Sequence, residues 1–307
     1  MLNTINTDDL EKTRKLLKEV FPGELKFDDQ KFLHWEYFLS PNGPVIQTNL
    51  DHESKRIGHY ALVPQRWILN GEELNVTLSL NTAISKLHRM KGQFRKLAEE
   101  TFSAAEKGGV DAIVGVANEN STWAFVNRLG FTNLGALETR VIFRKGFSKS
   151  TLAERISKSD LANFMQSNQG NFDYENGFNR IWDDQEINWR LSSPSTTFDS
   201  FLLHGAVIVS TISKFKGVAI SVILKIFAPK ESPSLGMQII VNEICKLQNT
   251  NLAIYSGHNP SVHSAGVFIP NWLRPAPLNL IIKPLSRKIE LLGRIPTTFE
   301  FLDFDAY

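Results

Sequence analysis

The chain has 307 residues, of which 42% are hydrophobic and 21% charged, with a net charge of +2. That is the make-up of a globular protein long enough for two domains, and it excludes a disordered or collagen-like chain. So small and dispersed a charge, with no Lys/Arg run interleaved with aromatics, excludes a nucleic-acid-binding surface.

The single cysteine, Cys245, rules out an internal disulfide and reads as a buried apolar thiol. No Cys/His cluster has zinc-ligand spacing, so no metal is expected. The first residues are polar and acidic, unlike a signal peptide. The longest apolar stretch, residues 217–228, is broken by Ser221 and Lys225 and is too short to span a membrane. No membrane contact and a cytoplasmic location are the expectation.

In chain order, Thr7 is placed to cap a helix with Asp8 and Asp9 in its first turn, and Pro22-Gly23 ends it. A short helix is predicted over 31–38 and a turn over 40–44. Strands follow near 45–50, 56–63 and 66–69, and Asn70-Gly71 turns into a strand over 74–84. There Leu74, Val76, Leu78, Leu80 and Ile84 fall at even spacing, the period of a half-buried strand. Phe94, Leu97, Ala98, Thr101, Phe102 and Ala105 then fall at helical spacing, and Gly108-Gly109 stops that helix. An apolar strand over 110–117, a helix over 121–128 and a strand over 136–144 complete the first half.

Residues 145–195 are polar, with helical pieces predicted over 150–166 and 175–186. Their aromatics (Phe164, Phe172, Phe178, Trp182, Trp189) need burial, so this is a packed connector rather than a free linker. Strands resume over 198–204, 206–213 and 217–228. A helix with Met237, Ile240, Val241, Ile244 and Leu247 on one face leads to a strand over 252–256. Met237 follows Phe94 by 143 residues, Leu252 follows Val110 by 142, and Asn259 follows Asn118 by 141. Offsets this close point to an internal duplication.

Between the alternation at 74–84 and the helix from 94 lies Ser85-Lys-Leu-His-Arg89-Met-Lys-Gly92-Gln. A strand, a basic turn and a helix N-terminus make an anion site, because free backbone N–H groups and the positive dipole end converge there. This reads as a pyrophosphate grip. The second copy has Glu231-Ser-Pro-Ser-Leu-Gly236 instead, whose acidic residue repels an anion. One coenzyme per chain is expected, in the N-terminal half.

These residues resemble the Gcn5-related N-acetyltransferase superfamily, whose motif R/Q-x-x-G-x-G/A sits at a strand-to-helix junction. Here it reads Arg89-Met90-Lys91-Gly92-Gln93-Phe94, and the Phe is similar to the enhanced-intracellular-survival type branch. Trp35-Glu-Tyr-Phe, Pro41-Asn-Gly-Pro and Asn118-Glu-Asn-Ser121 through Leu129-Gly130-Phe131 fit the same branch. The likeness is specific over about residues 30–135. It implies an α/β (α+β) fold of two tandem acetyltransferase-like domains, each a mixed, mostly antiparallel sheet flanked by helices. The implied organisation is a coenzyme-binding domain over 1–147, a connector over 148–195 and a degenerate copy over 196–307.

The resemblance further implies acetyl-CoA as cofactor. Backbone groups of Ala83 and Ile84 would hold the pantetheine and thioester. Amides of Met90, Lys91, Gly92, Gln93 and Phe94 would hold the pyrophosphate, with charge from Arg89 and Lys91. Asn118 or Asn120 would contact the pantetheine arm. The family's tyrosine acid falls on Val126, so that role does not carry over. Candidate proton acceptors are His34 and Glu36 on the early helix and the Tyr307 carboxylate. His258 and His263 could face an interdomain cleft, and Asp303 and Asp305 alternate with aromatics like an edge strand.

The function this implies is an acetyl-CoA-dependent N-acetyltransferase working by direct attack of an acceptor amine. The favoured acceptor is a small-molecule amino sugar, nucleotide-linked and destined for surface polysaccharide, with Trp35, Trp67, Trp182 and Trp189 as its aromatic inventory. Alternatives are an aminoglycoside or peptide amine, and a non-catalytic acyl-CoA-binding sensor or assembly subunit. An aminoacyl transferase that uses tRNA would need a large basic surface, which the near-neutral charge argues against. A homo-oligomer is compatible with the composition.

Overall fold

The computed structural model describes residues 7–89, 92–146, 151–172, 177–270, 274, 277–286 and 295–306, with Thr7 and Asn120 as backbone alone. Helices α1 (Thr7–Val20) and α2 (Gln30–Phe38) precede strands β1 (Ile46–His52), β2 (Lys55–Leu69) and β3 (Glu72–Ile84). Helix α3 (Gln93–Lys107) crosses over to β4 (Ala112–Ala117), followed by α4 (Glu119–Leu129), β5 (Thr132–Ala136) and β6 (Thr139–Phe143). The two strands expected at 56–63 and 66–69 are one. Pro64 does not break it: β1 pairing ends at Leu62 and a later strand begins pairing at Trp67, so Pro64 has a strand neighbour on the β3 side alone. A residue without an amide hydrogen is tolerated where no ladder needs it.

The connector contains β7 (Glu154–Ile156), α5 (Lys158–Ser167), β8 (Phe178–Arg180) and α6 (Asp184–Arg190). The helix expected over 175–186 is thus a strand followed by a shorter helix. β8 pairs with the end of β2, and the ring of Phe178 sits 4.4 Å from that of Trp67. Asp183 then starts α6 by accepting the Glu186 N–H at 2.8 Å. Tertiary burial of one aromatic overrides the local helical pattern.

The second half runs β9 (Asp199–Leu203), β10 (Ala206–Phe215), β11 (Val218–Phe227), β12 (Leu235–Gly236), α7 (Met237–Leu247) and β13 (Leu252–His258). The short strands β14 (Val262–His263) and β15 (Val267–Phe268), then β16 (Asn279–Pro284) and β17 (Phe299–Glu300), complete it. β9–β10–β11–α7–β13 repeats the order of β1–β2–β3–α3–β4: an antiparallel meander, then a helical crossover to a parallel strand. The duplication read from the three offsets is therefore present in the fold.

Among the described residues the first sheet has the order β1-β2-β3-β4-β16-β5, and the second β15-β6-β13-β11-β10-β9-β7. The two halves exchange strands. β16, from the second half, inserts antiparallel between β4 and β5, and β6, from the first half, pairs with β13. Burial of Leu280, Ile281 and Ile282 on β16 stitches the halves together. The largest core cluster does the same. It joins Trp67, Leu74, Val76 and Leu78 of the first sheet to Val207, Val222 and Leu224 of the second, through the connector's Leu161, Phe172 and Trp182. Other clusters lie under α3 and α4, under α7, and around α1 and α2.

A bulge in β3 decides how these faces meet. Tyr60 of β2 stands opposite two residues, Asn81 and Thr82, since His59 pairs with Ala83 and Ala61 with Leu80. An extra residue turns every later side chain to the other face. Leu74, Val76 and Leu78 thus face the second sheet, whereas Ile84 packs under α3. The even alternation read through Ile84 is correct only as far as Leu80.

Candidate active site

β3 and β4 run parallel for three paired residues, ending at Leu78 opposite Val114. Beyond that point they part, and a cavity of about 300 Å³ opens between residues 79–82 of β3 and Val116, Ala117, Asn118 and Ser121. Neither edge has a strand partner there among the described residues. Main-chain groups of β3 therefore face the cavity instead of a ladder.

Phe125, which lines this cleft, packs on Phe94 in the first turn of α3, where the anion grip is expected. Gly92 caps α3 in the left-handed region (φ 72°), and a Cβ built on it meets nothing within 4 Å. The first turn of α3 has no side-chain cap and no acidic residue, so its amides stay open for an anion. Phe94 anchors the turn by edge contact with Phe125, centroids 5.9 Å apart. Arg89 is exposed, and its Nε donates to the Ile84 carbonyl at 3.2 Å. His88, on the turn between β3 and α3, has a buried Nδ1 with no partner; the sequence reading passed over it. Met90 and Lys91 lie outside the described residues. Gln93 is the first residue of α3. Asn118 caps α4, accepting the Ser121 N–H at 2.9 Å, and the side chain of Asn120 is not described.

Ala83 is buried and packs with α1 and α2, while Ile84 packs under α3. The β3 residues that line the cleft are the preceding four, 79–82. Behind Ser79, the Tyr60 hydroxyl lies 2.9 Å from Ser79 Oγ.

Glu36 of α2 adjoins Asn81, which also lines the cleft. Glu36 is 3% exposed, and Asn81 Nδ2 donates to its Oε2 at 2.8 Å. The chain terminus brings Asp305 to the same place, where Asp305 pairs with Lys26. Burial, then the charge of Asp305, pushes the Glu36 carboxyl up to about 8, against the pull of Lys26. His34 does not join them. Two residues apart on a helix is about 200° around its axis, and His34 is half-buried beside Phe38, centroids 5.9 Å apart. Tyr307 lies outside the described residues. The terminal segment is not the edge strand its alternation suggests. It is β17 followed by a 3₁₀ turn at 301–303 that buries Asp303 completely.

Further hydrogen bonds hold Asn81 in place. Its backbone is left-handed (φ 51°), and Nδ2 also donates to the Tyr37 hydroxyl at 2.9 Å. That hydroxyl lies 2.8 Å from His59 Nε2, and His59 Nδ1 lies 2.6 Å from Asn49 Oδ1. Burial pulls His59 down to about 3, so it stays neutral. The Asn49 oxygen only accepts, which puts the imidazole proton on Nδ1 and makes Nε2 the acceptor of the tyrosine proton.

Next to Glu36 the Trp35 and Trp189 rings stack at 4.9 Å, and both line a small gap with Glu36, Arg190 and Asp305. Trp67 is fully buried in the core. Of the expected aromatics, Trp35 and Trp189 are the two beside Glu36. His258 bonds the Pro296 carbonyl, and His263 is exposed; neither lines the cleft. No group of three or more His, Cys, Asp or Glu could hold a metal among the described residues. No helix among them is long and apolar enough to cross a membrane.

No family model and no curated protein sequence matches the chain. Solved structures do. The crystal structure of a GCN5-related N-acetyltransferase from Anabaena variabilis superimposes with a TM-score of 0.62 at 12% identity, covering 91% of this chain and 71% of that one. Eis1 from Mycobacterium abscessus gives 0.58 at 9% identity, covering 93% and 74%. An Enterococcus faecalis protein, a probable N-acyltransferase, gives 0.59 at 10% identity, covering 91% and 71%. The matches run across both halves, and at such identities what is shared is the architecture. The chain has the fold of the GCN5-related N-acetyltransferases, of the kind seen in Eis.

Proposed function

We propose that this protein is an acetyl-CoA-dependent N-acetyltransferase whose acceptor is an amino sugar. The observation that carries the reading is the cleft between β3 and β4. Its lining residue Phe125 packs on Phe94 in the uncapped first turn of α3, and its lining residue Asn81 donates to the buried carboxylate of Glu36. The residues present fit the coenzyme: an open αL glycine, amides without a cap and no acidic side chain in the first turn suit a diphosphate. When bound, acetyl-CoA supplies an activated acyl group.

The chain's own residues do the rest. Amides of α3 and the charge of Arg89 hold the anion. Main-chain groups at 79–82, released from pairing where β4 departs, meet the developing negative charge. Glu36, in its ionised form, takes the proton of the attacking amine. Asn81 fixes the Glu36 carboxyl, and Tyr37 and His59 fix Asn81. Lys26 and Asp305 set how readily Glu36 ionises. No tyrosine stands at 126, and we assign proton delivery at the leaving side to the Tyr60–Ser79 hydroxyl pair. Residues 1–147 supply the coenzyme site, and 196–307 shape the acceptor side.

The stacked Trp35–Trp189 pair beside a buried carboxylate suits a small cationic ring compound, which supports an amino sugar over a peptide amine. The test is thiol release from acetyl-CoA across a panel of glucosamine, glucosamine 6-phosphate, nucleotide-linked amino sugars, kanamycin and a peptide amine. Release is expected with an amino sugar. Coenzyme binding without release from any amine would replace the enzyme reading with that of an acyl-CoA sensor.

A further inference from the structure

The chain's last strand and turn run from the second half into the first, and buried charge ties them down at both ends. β11 is apolar from Val222 to Phe227 except for Lys225, which is 4% exposed. A bulge precedes it: Val209 pairs with Lys225 and Ser210 with Ile223, so Leu224 is the extra residue. Leu224 and Phe227 join the core cluster between the sheets. Lys225 reaches the same region, donating to Asp303 Oδ2 at 2.6 Å, with Glu300 Oε2 at 3.3 Å.

Asp303 is completely buried and is held from both halves and the connector. Its Oδ1 accepts the Trp182 Nε1–H at 2.9 Å, and its carbonyl accepts Arg180 Nη1 at 3.0 Å and Gln65 Nε2 at 3.3 Å. Arg190 Nη2 donates to the next carbonyl, that of Phe304, at 3.4 Å. One residue later Asp305 pairs with Lys26. Asp305, Lys26 and Arg190 are the charged groups that act on Glu36, and Arg180 lines the same small gap. A continuous series of contacts thus runs from β11 to the carboxyl on α2. A buried ion pair adds little stability over apolar side chains of the same size, because desolvation offsets its attraction; what it fixes is geometry.

We propose that Lys225 is a positioning residue for Glu36: through Asp303 it fixes the tail that sets Asp305 against Lys26 beside that carboxyl. A residue of the second half then acts on the first without lining its cleft. Its bearing on acyl transfer rests on the reading of Glu36 as proton acceptor. Loosening the tail withdraws the negative charge of Asp305, while Lys26 stays on its own turn over the Phe27 and Phe32 rings. Glu36 then ionises at lower pH, because a like charge has left and an opposite one remains.

Two measurements on the full chain test it. Tryptophan fluorescence against pH reads Glu36 through the Trp35–Trp189 stack and needs no turnover. A transition through about 8 is expected, absent from Glu36→Gln. Asp305→Asn and Lys225→Met are each expected to lower its midpoint by about one pH unit or more, with unchanged far-UV spectra. The two changes combined are expected to lower it no further, whereas uncoupled sites would add. Should Lys225→Met not fold, Lys225→Met with Asp303→Asn, which removes both buried charges, takes its place. The second measurement is kcat against pH, expected to follow the same midpoints with the KM for acetyl-CoA within about twofold of the native value. A fluorescence midpoint unmoved by Lys225→Met, additive shifts, or no transition that depends on Glu36 would each overturn the assignment. Shifted fluorescence with a kcat profile that Glu36→Gln leaves unaltered would support it and overturn the proton-acceptor reading instead.

Discussion

Both halves part a parallel strand pair just before a bulge, yet the first parting has no strand in it among the described residues and the second is entered by another strand. In the first, β3 residues 79–82 face empty space. In the second, β17 enters the gap and pairs Gly257 with Glu300. Glu300 then takes the Ile226 N–H at 3.4 Å, the Tyr255 hydroxyl at 3.0 Å and the Asn259 amide at 3.3 Å. A carboxylate side chain thus takes up a main-chain N–H on the β11 side of the gap, the side that in the first half faces the open cleft. Asn118 and Asn259 show the same divergence. The first caps a helix beside an open cleft, and the second spans the plugged one by donating to the Ile226 carbonyl at 3.0 Å. Duplication supplied two similar frames, and the chain's own terminus decided which of them remained open.

The sharpest way to break this contrast is to remove the proposed proton acceptor. Glu36→Gln should lower kcat about 10²- to 10⁴-fold, the usual worth of a general base, with the KM for acetyl-CoA nearly unchanged. Steady-state kinetics checks this, and an equal rise in KM would mean Glu36 only shapes the site.

The plug is tested at Gly257, where a Cβ would lie 2.0 Å from the Phe299 carbonyl oxygen. Gly257→Ala should cost about 3 kcal/mol or more by urea denaturation, because backbone cannot yield as a flexible side chain does. Gly92→Ala, with open space around its Cβ, should cost only about 1 kcal/mol.

A paired substitution at the two helix starts sharpens the comparison. Gly92→Asp places an anion at the grip and should raise the KM for acetyl-CoA about 10-fold or more. Gly236→Asp, at the start of α7, should leave it unchanged. Direct CoA titration reads both.

The smallest effect expected is in pH dependence. In its proposed role Glu36 acts ionised, and burial with Asp305 nearby raises its carboxyl to about 8. The groups facing it are Asp305, Lys26 and Arg190. The rate should therefore rise with pH through about 8. Stability should move the other way. The folded chain holds this proton more tightly than the unfolded one, so stability is lost as pH climbs from about 4.5 to about 8. Glu36→Gln should flatten both curves, the second measured as Tm against pH.

The local parts of this protein were legible in its residues. The period of two over 74–80, the helical period from Phe94 and the terminating Gly108-Gly109 gave β3 and α3, with α3 at its observed bounds. These follow from where apolar side chains must point and which backbones glycine permits. The glycine turn at Gly92 and the repeated strand order were legible for the same reason. Other features depended on contacts between segments far apart in sequence. Asn81 shows no break in pattern, yet its bulge turns Ile84 to the opposite face and aims its amide at Glu36. Lys26, Glu36 and Asp305 are separated by up to 279 positions, and no periodicity brings them together. The strand exchange of β6 and β16 and the Glu300 plug are likewise choices among partners. Local sequence sets which segments can be strands; only the assembled core decides which edge each one completes.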